Sequence, residues 1–152
     1  MEEHEGWMRW ALKEAEKALS KGEVPVGAVV VCENRIVGKG YNQTETLQDP
    51  TAHAEMISIS AAANTLHSWR LENCSLYVTL EPCAMCAGAI VLARIKKLVF
   101  GAIDPKTGAC GSLRNIVQDY RLNHQVEVIS GILAEESSEL LKLFFQSLRK
   151  KI

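Results

Sequence analysis

The chain has 152 residues, of which 47% are hydrophobic and 23% charged, with a formal net charge of −1. These values exclude a disordered chain or a coiled coil and predict one globular domain over residues 1–152. The longest apolar run, nine residues at 24–32, is shorter than the roughly 20 of a membrane helix, and the acidic first residues lack a signal peptide's apolar segment. We therefore expect a soluble, cytoplasmic protein that does not associate with membranes.

Hydrophobic periodicity and turn residues predict nine elements in chain order. They are a helix over 7–20, strands over 26–32 and 35–41 joined by a Glu33–Asn34 turn, a helix over 52–64 capped by Thr51, a strand over 76–80, a helix over 82–94 opened by Pro82, strands over 96–100 and 126–129, and a helix over 134–149. Their order predicts the α/β class: a three-layer sandwich with a mixed sheet of about five strands and helices on both faces.

The charge is unevenly distributed, although the net value is close to zero. Residues 1–93 carry −5, whereas residues 94–152 carry +4. A general nucleic-acid binder is usually strongly basic, so this chain is not typical of one. A local basic face formed by the last third of the chain stays possible.

Four residues at two predicted helix starts carry the chemistry. Cys83 and Cys86 are three positions apart, which places both sulfurs on one helix face, and the helix N-terminus is expected to lower both thiol pKa values. His53 begins the other helix, so the three residues are candidate ligands of one zinc ion with an open fourth position. Glu55 is then placed to act as a general acid and base.

Two other interpretations of the cysteines stay open. A structural zinc site needs a fourth protein ligand, and Cys32, Cys74, Cys110 or His67 could provide it. Cys32 and Cys74 are expected at the end of the sheet opposite Cys83. A thioredoxin-like pair also uses two cysteines at this spacing, but it gives His53 and Glu55 no role.

The H-A-E motif at 53–55 and the P-C-x-x-C motif at 82–86 resemble the signature of the zinc-dependent cytidine and nucleotide deaminase superfamily. Within it, the chain is most similar to the bacterial tRNA adenosine deaminases over nearly its whole length. The matching segments are residues 23–28, 49–55, 76–83, 86–89, 100–102, 106–108, 131–134 and 144–145.

This resemblance implies a cytidine-deaminase-like fold and a homodimer that converts adenosine to inosine at the wobble position of a tRNA anticodon. It implies that water activated by one zinc per chain attacks carbon 6 of adenine, while Glu55 protonates the ring nitrogen and later the departing ammonia. The family's substrate-contacting positions correspond to Asn42 for the ribose, Val26 and Leu80 for the base, and Asp104, Lys106, Phe145 and Arg149 along the RNA.

Each of these substrate contacts has a structural alternative. Asn42 and Asp104 are common turn residues, Val26 and Leu80 are typical of a strand core, and Phe145 on an amphipathic helix could be buried. The predicted helix over 83–93 is apolar nearly all round, which favours a second subunit as a cover and agrees with a homodimer.

The nearest rival function is the same chemistry on a free base or nucleoside: guanine, cytosine or cytidine. The Phe144–Phe145 pair and the basic residues at 149–151 favour RNA, because a small substrate does not require them. A non-catalytic RNA-binding or structural zinc module is a third interpretation, and it has no use for Glu55.

Overall fold

The computed structural model describes residues 2–150 and contains one five-stranded sheet in the order β2-β1-β3-β4-β5. Strand β1 pairs antiparallel with β2 and β3, whereas β3, β4 and β5 are parallel. The elements are α1 (Glu2–Ser20), β1 (Gly27–Cys32), β2 (Arg35–Tyr41), α2 (Thr44–Leu47), α3 (Ala54–Leu66), β3 (Cys74–Leu80), α4 (Ala84–Leu92), β4 (Lys97–Ala102), a 3-10 turn (Ile116–Gln118), β5 (Glu127–Ile129) and α5 (Ala134–Lys150).

Helices cover both faces of the sheet, which confirms the predicted three-layer α/β sandwich. Alternate residues of β1 point to opposite faces: Val29 and Val31 pack with α1, whereas Ala28 and Val30 belong to the core beneath α3 and α4. Gly27 lets α1 approach closely, because a Cβ there would lie 2.1 Å from the Ala11 carbonyl oxygen. Within residues 2–150, no helix is both long and apolar enough to cross a membrane.

The predicted strands and major helices are present, but several helix boundaries were wrong. Helix α1 begins at Glu2 rather than at residue 7, and α3 begins at Ala54 rather than after a Thr51 cap. Thr51 instead donates its N–H and hydroxyl to Asp49 Oδ1 in a turn, so His53 takes the cap position. The helix predicted over 82–94 spans only Ala84–Leu92, because the backbone of Cys83 is extended.

Candidate active site

Two helix starts meet beyond the carboxyl end of β3. His53 is the N-cap of α3 with ψ 151°, and Cys83 is the N-cap of α4 with ψ 178°, so both are extended residues just outside a helix. Cys86 lies in the first turn of α4. An N-cap side chain can point along the helix axis, past the first turn. The two extended caps therefore let ligands from two helices face one point.

The three predicted ligand atoms lie close together. His53 Nδ1 is 3.6 Å from the Sγ atoms of both Cys83 and Cys86. Zinc-to-nitrogen and zinc-to-sulfur bonds of about 2.0 and 2.3 Å at a tetrahedral angle place such atoms about 3.5 Å apart. Among the residues that the structure describes, only these three form a His, Cys or carboxylate group with all ligand atoms within 4.8 Å of one another. The group therefore fits a tetrahedral metal ion.

The other sulfur and imidazole groups lie elsewhere. Cys32 and Cys74 are directly opposite each other in the β1–β3 pairing, at the far end of β3 from Cys83, as expected. His67 caps the C-terminus of α3, at the end of that helix opposite His53. Cys110 is buried, with its sulfur 3.9 Å from the Pro82 carbonyl oxygen, and it is not in the group of three. The described residues thus supply three candidate ligands, which would leave a fourth coordination position open.

The electrostatics of the two thiols differ, contrary to the expectation that both pKa values are lowered. Hydrogen bonds from Cys86 and His53 lower the pKa of Cys83 to about 4. The Cys86 thiol donates to Cys83 and is buried, so its pKa is raised. Two adjacent thiolates repel each other, and a divalent cation bonded to both compensates their charges. The donor set is therefore also electrostatically suited to a metal.

Glu55 lies in the first turn of α3, is 4% exposed, and is not in the group of close ligand atoms. Burial raises the pKa of its carboxyl to about 7, although His53 opposes the shift. A carboxyl group with this pKa both accepts and donates protons readily near neutral pH. The geometry therefore suits Glu55 for proton transfer rather than for metal binding.

A cavity of about 150 Å³ opens above the ligands and Glu55. Four of the residues predicted to contact substrate line it: Val26, Asn42, Leu80 and Asp104. The Asn42 Oδ1 atom accepts a hydrogen bond of 2.8 Å from the Ala54 N–H, which satisfies one free donor at the start of α3. Its Nδ2 group is the donor that remains for a ligand.

An outer groove of about 360 Å³ adjoins this cavity and shares Val24, Leu80, Asp104 and Thr107 with it. Lys106 and Phe145 line the groove. Phe144 is buried, whereas Phe145 is 48% exposed, so only the second phenylalanine presents a surface to ligands. Arg149 is exposed one helical turn beyond Phe145 on α5, and it does not line the groove.

Sequence reasoning missed three residues that line the inner cavity. Val24 and Thr107 line both this cavity and the outer groove, and Glu81 is a buried residue of the cavity lining. Val24 precedes Pro25 outside any strand, and Thr107 lies in a long loop, so neither has a local pattern. The only signal for Glu81 was a carboxylate at the end of an apolar strand, directly before Pro82 and Cys83.

The model of the MafB19-like deaminase family matches residues 2–149. The chain belongs to this deaminase family. It is 54% identical to the tRNA-specific adenosine deaminase of Bacillus subtilis (strain 168), over 99% of this chain and 94% of the relative. It is 51% identical to the tRNA-specific adenosine deaminase of Aquifex aeolicus (strain VF5), over 97% of both chains. The resemblance inferred from the sequence motifs is thereby confirmed.

Solved structures of deaminases share this fold. One from a study of A-to-I editing by tRNA:A34 deaminases at the wobble position superimposes with a TM-score of 0.86 at 45% identity, covering 90% of this chain and 99% of that one. The guanine deaminase of Nitrosomonas europaea gives a TM-score of 0.81 at 22% identity, covering 92% and 83%. At that identity, the second comparison shows the fold alone.

We expect the metal content of the purified protein to depend on three residues. His53→Ala, Cys83→Ala or Cys86→Ala removes a candidate ligand, so each variant should lose metal and become less stable, because a bound ion would link α3 to α4. Cys32→Ala, Cys74→Ala and Cys110→Ala are the matched controls and should keep one metal ion per chain. Elemental analysis together with thermal unfolding measures both effects. Stoichiometric metal in a Cys83→Ala/Cys86→Ala double variant would contradict the ligand set.

Proposed function

We propose that the chain catalyses zinc-dependent hydrolytic deamination of adenosine to inosine at the wobble position of a tRNA anticodon. One joint observation carries this proposal. A His53–Cys83–Cys86 group lies beside buried Glu55, in a chain 54% identical over 99% of its length to a tRNA-specific adenosine deaminase. The reaction consumes water and adenosine and releases inosine and ammonia.

Zinc is the metal that the donor set favours. One imidazole and two thiolates are typical zinc ligands, and three protein ligands are typical of a catalytic rather than a structural site. When bound there, zinc supplies a Lewis acid that activates water as a nucleophile near neutral pH. His53, Cys83 and Cys86 would hold one ion per chain.

Glu55 moves the protons in this proposal. Its carboxylate takes a proton from the attacking water and gives it to ring nitrogen N1 of adenine as carbon 6 loses its aromatic conjugation. The carboxylate then takes the proton of the hydroxyl group now bonded to carbon 6 and delivers it to the amino group, which leaves as ammonia when its bond to carbon 6 breaks and the carbonyl of inosine forms. A pKa raised to about 7 by burial supports both directions of transfer near neutral pH.

Asn42, Val26 and Leu80 orient the nucleoside. Because Asn42 Oδ1 is engaged by the Ala54 N–H, the Nδ2 group is the part that donates to a ribose oxygen. Val26 and Leu80 line the inner cavity and provide apolar walls for the base. Their position supports a substrate whose base enters the cavity while its sugar stays near the rim.

The outer groove supports a polynucleotide rather than a free base. Phe145 offers a stacking surface, and Lys106 places a positive charge in the same groove, while Arg149 extends the basic surface along α5. Anticodon loops are recognised by splaying out bases and stacking them on aromatic side chains. Asp104 accepts hydrogen bonds from the N–H groups of Lys106 and Thr107, so we assign it the role of shaping the protein loop that follows β4 and carries Lys106.

The outer face of α4 supports a homodimer. The helix is nearly all apolar, and Leu92 at its end is 70% exposed. The 3-10 turn packs against α4, and the neighbouring Leu113 and Tyr120 are 60% and 87% exposed. Burial of these side chains against a second copy would remove apolar surface from water, which supports a homodimer.

Two further expectations concern the cellular location and the domain organisation. Transfer RNA reads codons during translation in the cytoplasm, which supports a cytoplasmic site of action. All the proposed catalytic residues lie in the helices that flank the one sheet or at the caps of those helices, which supports a single deaminase domain; residues 1, 151 and 152 of the predicted range lie outside the described residues.

Replacing Glu55 tests the proposed proton transfer. Glu55→Gln keeps the shape of the side chain but cannot shuttle protons, so turnover should fall by at least about 10²- to 10⁴-fold. Metal content and affinity for an anticodon stem-loop should stay near wild type. Glu14→Gln, which alters a buried carboxylate on α1 paired with Lys17, is the control. Inosine formed in single-turnover reactions measures the rate, and a Glu55→Gln rate within tenfold of wild type would reject this role.

Replacing Phe145 and Arg149 tests the substrate class. Phe145→Ala should weaken binding of an anticodon stem-loop about 5- to 150-fold, the equivalent of 1–3 kcal/mol of base stacking. Arg149→Ala should lower the salt dependence of log Kd by roughly one unit of slope. Leu143→Ala, at another exposed apolar position of α5, is the control. Fluorescence anisotropy measures both.

The rival function predicts a different set of results. If free guanine, cytosine or cytidine is deaminated efficiently, tRNA stays unmodified, and Phe145→Ala changes nothing, the RNA assignment is wrong.

A further inference from the structure

Glu81 is a buried carboxylate to which neither the metal site nor the proposed proton transfer assigns a role. It follows β3, precedes Pro82 and Cys83, and is 3% exposed. Its two oxygens accept four hydrogen bonds, all from one loop. Oε1 accepts from the Asp104 N–H at 2.9 Å and the Ser112 hydroxyl at 2.5 Å, and Oε2 accepts from the N–H groups of Cys110 at 3.1 Å and Ser112 at 3.0 Å.

The loop that Glu81 binds spans residues 103–112, and we call it the 103–112 loop. Two of its residues, Asp104 and Thr107, line the inner cavity, and Lys106 lines the outer groove. The backbone of this loop is mostly turns and irregular structure, outside the helices and strands. One side chain therefore satisfies three of its backbone donors, which would otherwise be costly to bury.

The 103–112 loop packs closely against the Glu81 carboxylate. A Cβ at Gly108 would lie 2.4 Å from Glu81 Cδ and 2.5 Å from its Oε1, so the loop can approach only because residue 108 is glycine. The Ala109 N–H donates to the Pro82 carbonyl oxygen at 2.9 Å. The loop is thus joined at two adjacent points to the segment that leads directly into Cys83.

We propose that Glu81 is a positioning residue, which holds the 103–112 loop in register with the metal ligands and so aligns the RNA-binding groove with the reacting base. This role rests on the proposed function and adds to it a residue that sets substrate affinity without touching the substrate. Because Glu81 lies two residues from Cys83, the loop cannot move away from the metal site while the four hydrogen bonds persist.

The arrangement of donors indicates how a Glu81→Gln substitution would act. A glutamine offers one acceptor oxygen and one NH₂ donor in place of two acceptors. At the Oε2 position, the NH₂ group would face two N–H donors, from Cys110 and Ser112. At the Oε1 position it would face the Asp104 N–H and the Ser112 hydroxyl, and only the hydroxyl can rotate to accept. The Asp104 end of the loop should therefore lose its bond.

The kinetic constants of Glu81→Gln on an anticodon stem-loop test this role. KM should rise on the order of tenfold, while kcat stays within about threefold and metal content is unchanged. Hydrogen–deuterium exchange should become faster in the segment that contains Asp104. Glu14→Gln, the buried carboxylate on α1, should alter neither KM nor exchange in the loop. Ser112→Ala leaves the Glu81 charge intact, removes only the hydroxyl bond, and should raise KM less.

Other outcomes would overturn the role. A merely structural residue would lower the active fraction, so kcat would fall while KM stayed the same, and this result rejects positioning. If Glu81→Gln does not fold, Ser112→Ala decides: a raised KM supports the role, and an unchanged KM overturns it. An inactive wild-type chain would overturn the proposed function itself, whereas an active wild type with an unchanged KM in Glu81→Gln overturns only the role of Glu81.

Discussion

The convergence of two helix N-termini on one point is the constraint on which the rest of the site depends. Helices α3 and α4 follow different strands, yet their caps bring His53 Nδ1 within 3.6 Å of two cysteine sulfurs. Each helix start carries unpaired backbone N–H groups and a partial positive charge, which favours thiolate and carboxylate side chains there. The parallel pairing of β3 with β4, connected through α4, fixes where this convergence occurs.

Three polar side chains, of which Glu23 and Glu81 are buried and Asn42 is half-buried, join the segments around the predicted ligands. Asn42 binds the first N–H of α3 and so links the end of β2 to His53. Glu81 binds the 103–112 loop next to Cys83. On a third side, the buried carboxylate of Glu23 accepts hydrogen bonds from the N–H groups of Glu45 and Thr46 in the segment that leads towards His53. These hydrogen bonds connect the segments that surround the cavity to residues near the predicted metal ligands.

The sequence predicted what short-range spacing determines. The three-residue interval of Cys83 and Cys86 and the position of His53 at a helix start predicted that these side chains meet, and the resemblance of the two motifs favoured this over the alternatives that the spacing left open. The starts of α3 and α4 were predicted two residues too early. Helix propensity does not show that His53 and Cys83 keep an extended backbone at the caps. Glu81 and Glu23 were missed, since Glu81 binds the 103–112 loop and Glu23 binds α2, both more than 20 positions away, and such contacts have no local pattern. The 48% exposure of Phe145 beside buried Phe144 likewise depends on how α5 packs.

The most direct test of this account is zinc K-edge X-ray absorption of the purified protein, because it reports the ligand set itself. We expect one zinc per chain with two sulfur ligands at about 2.3 Å and two nitrogen or oxygen ligands at about 2.0 to 2.1 Å. One of these two nitrogen or oxygen ligands is His53, and the other occupies the fourth coordination position, at which the proposed reaction begins. A shell of four sulfurs, or of three sulfurs and one nitrogen, would contradict the account, since it would make the site structural and closed.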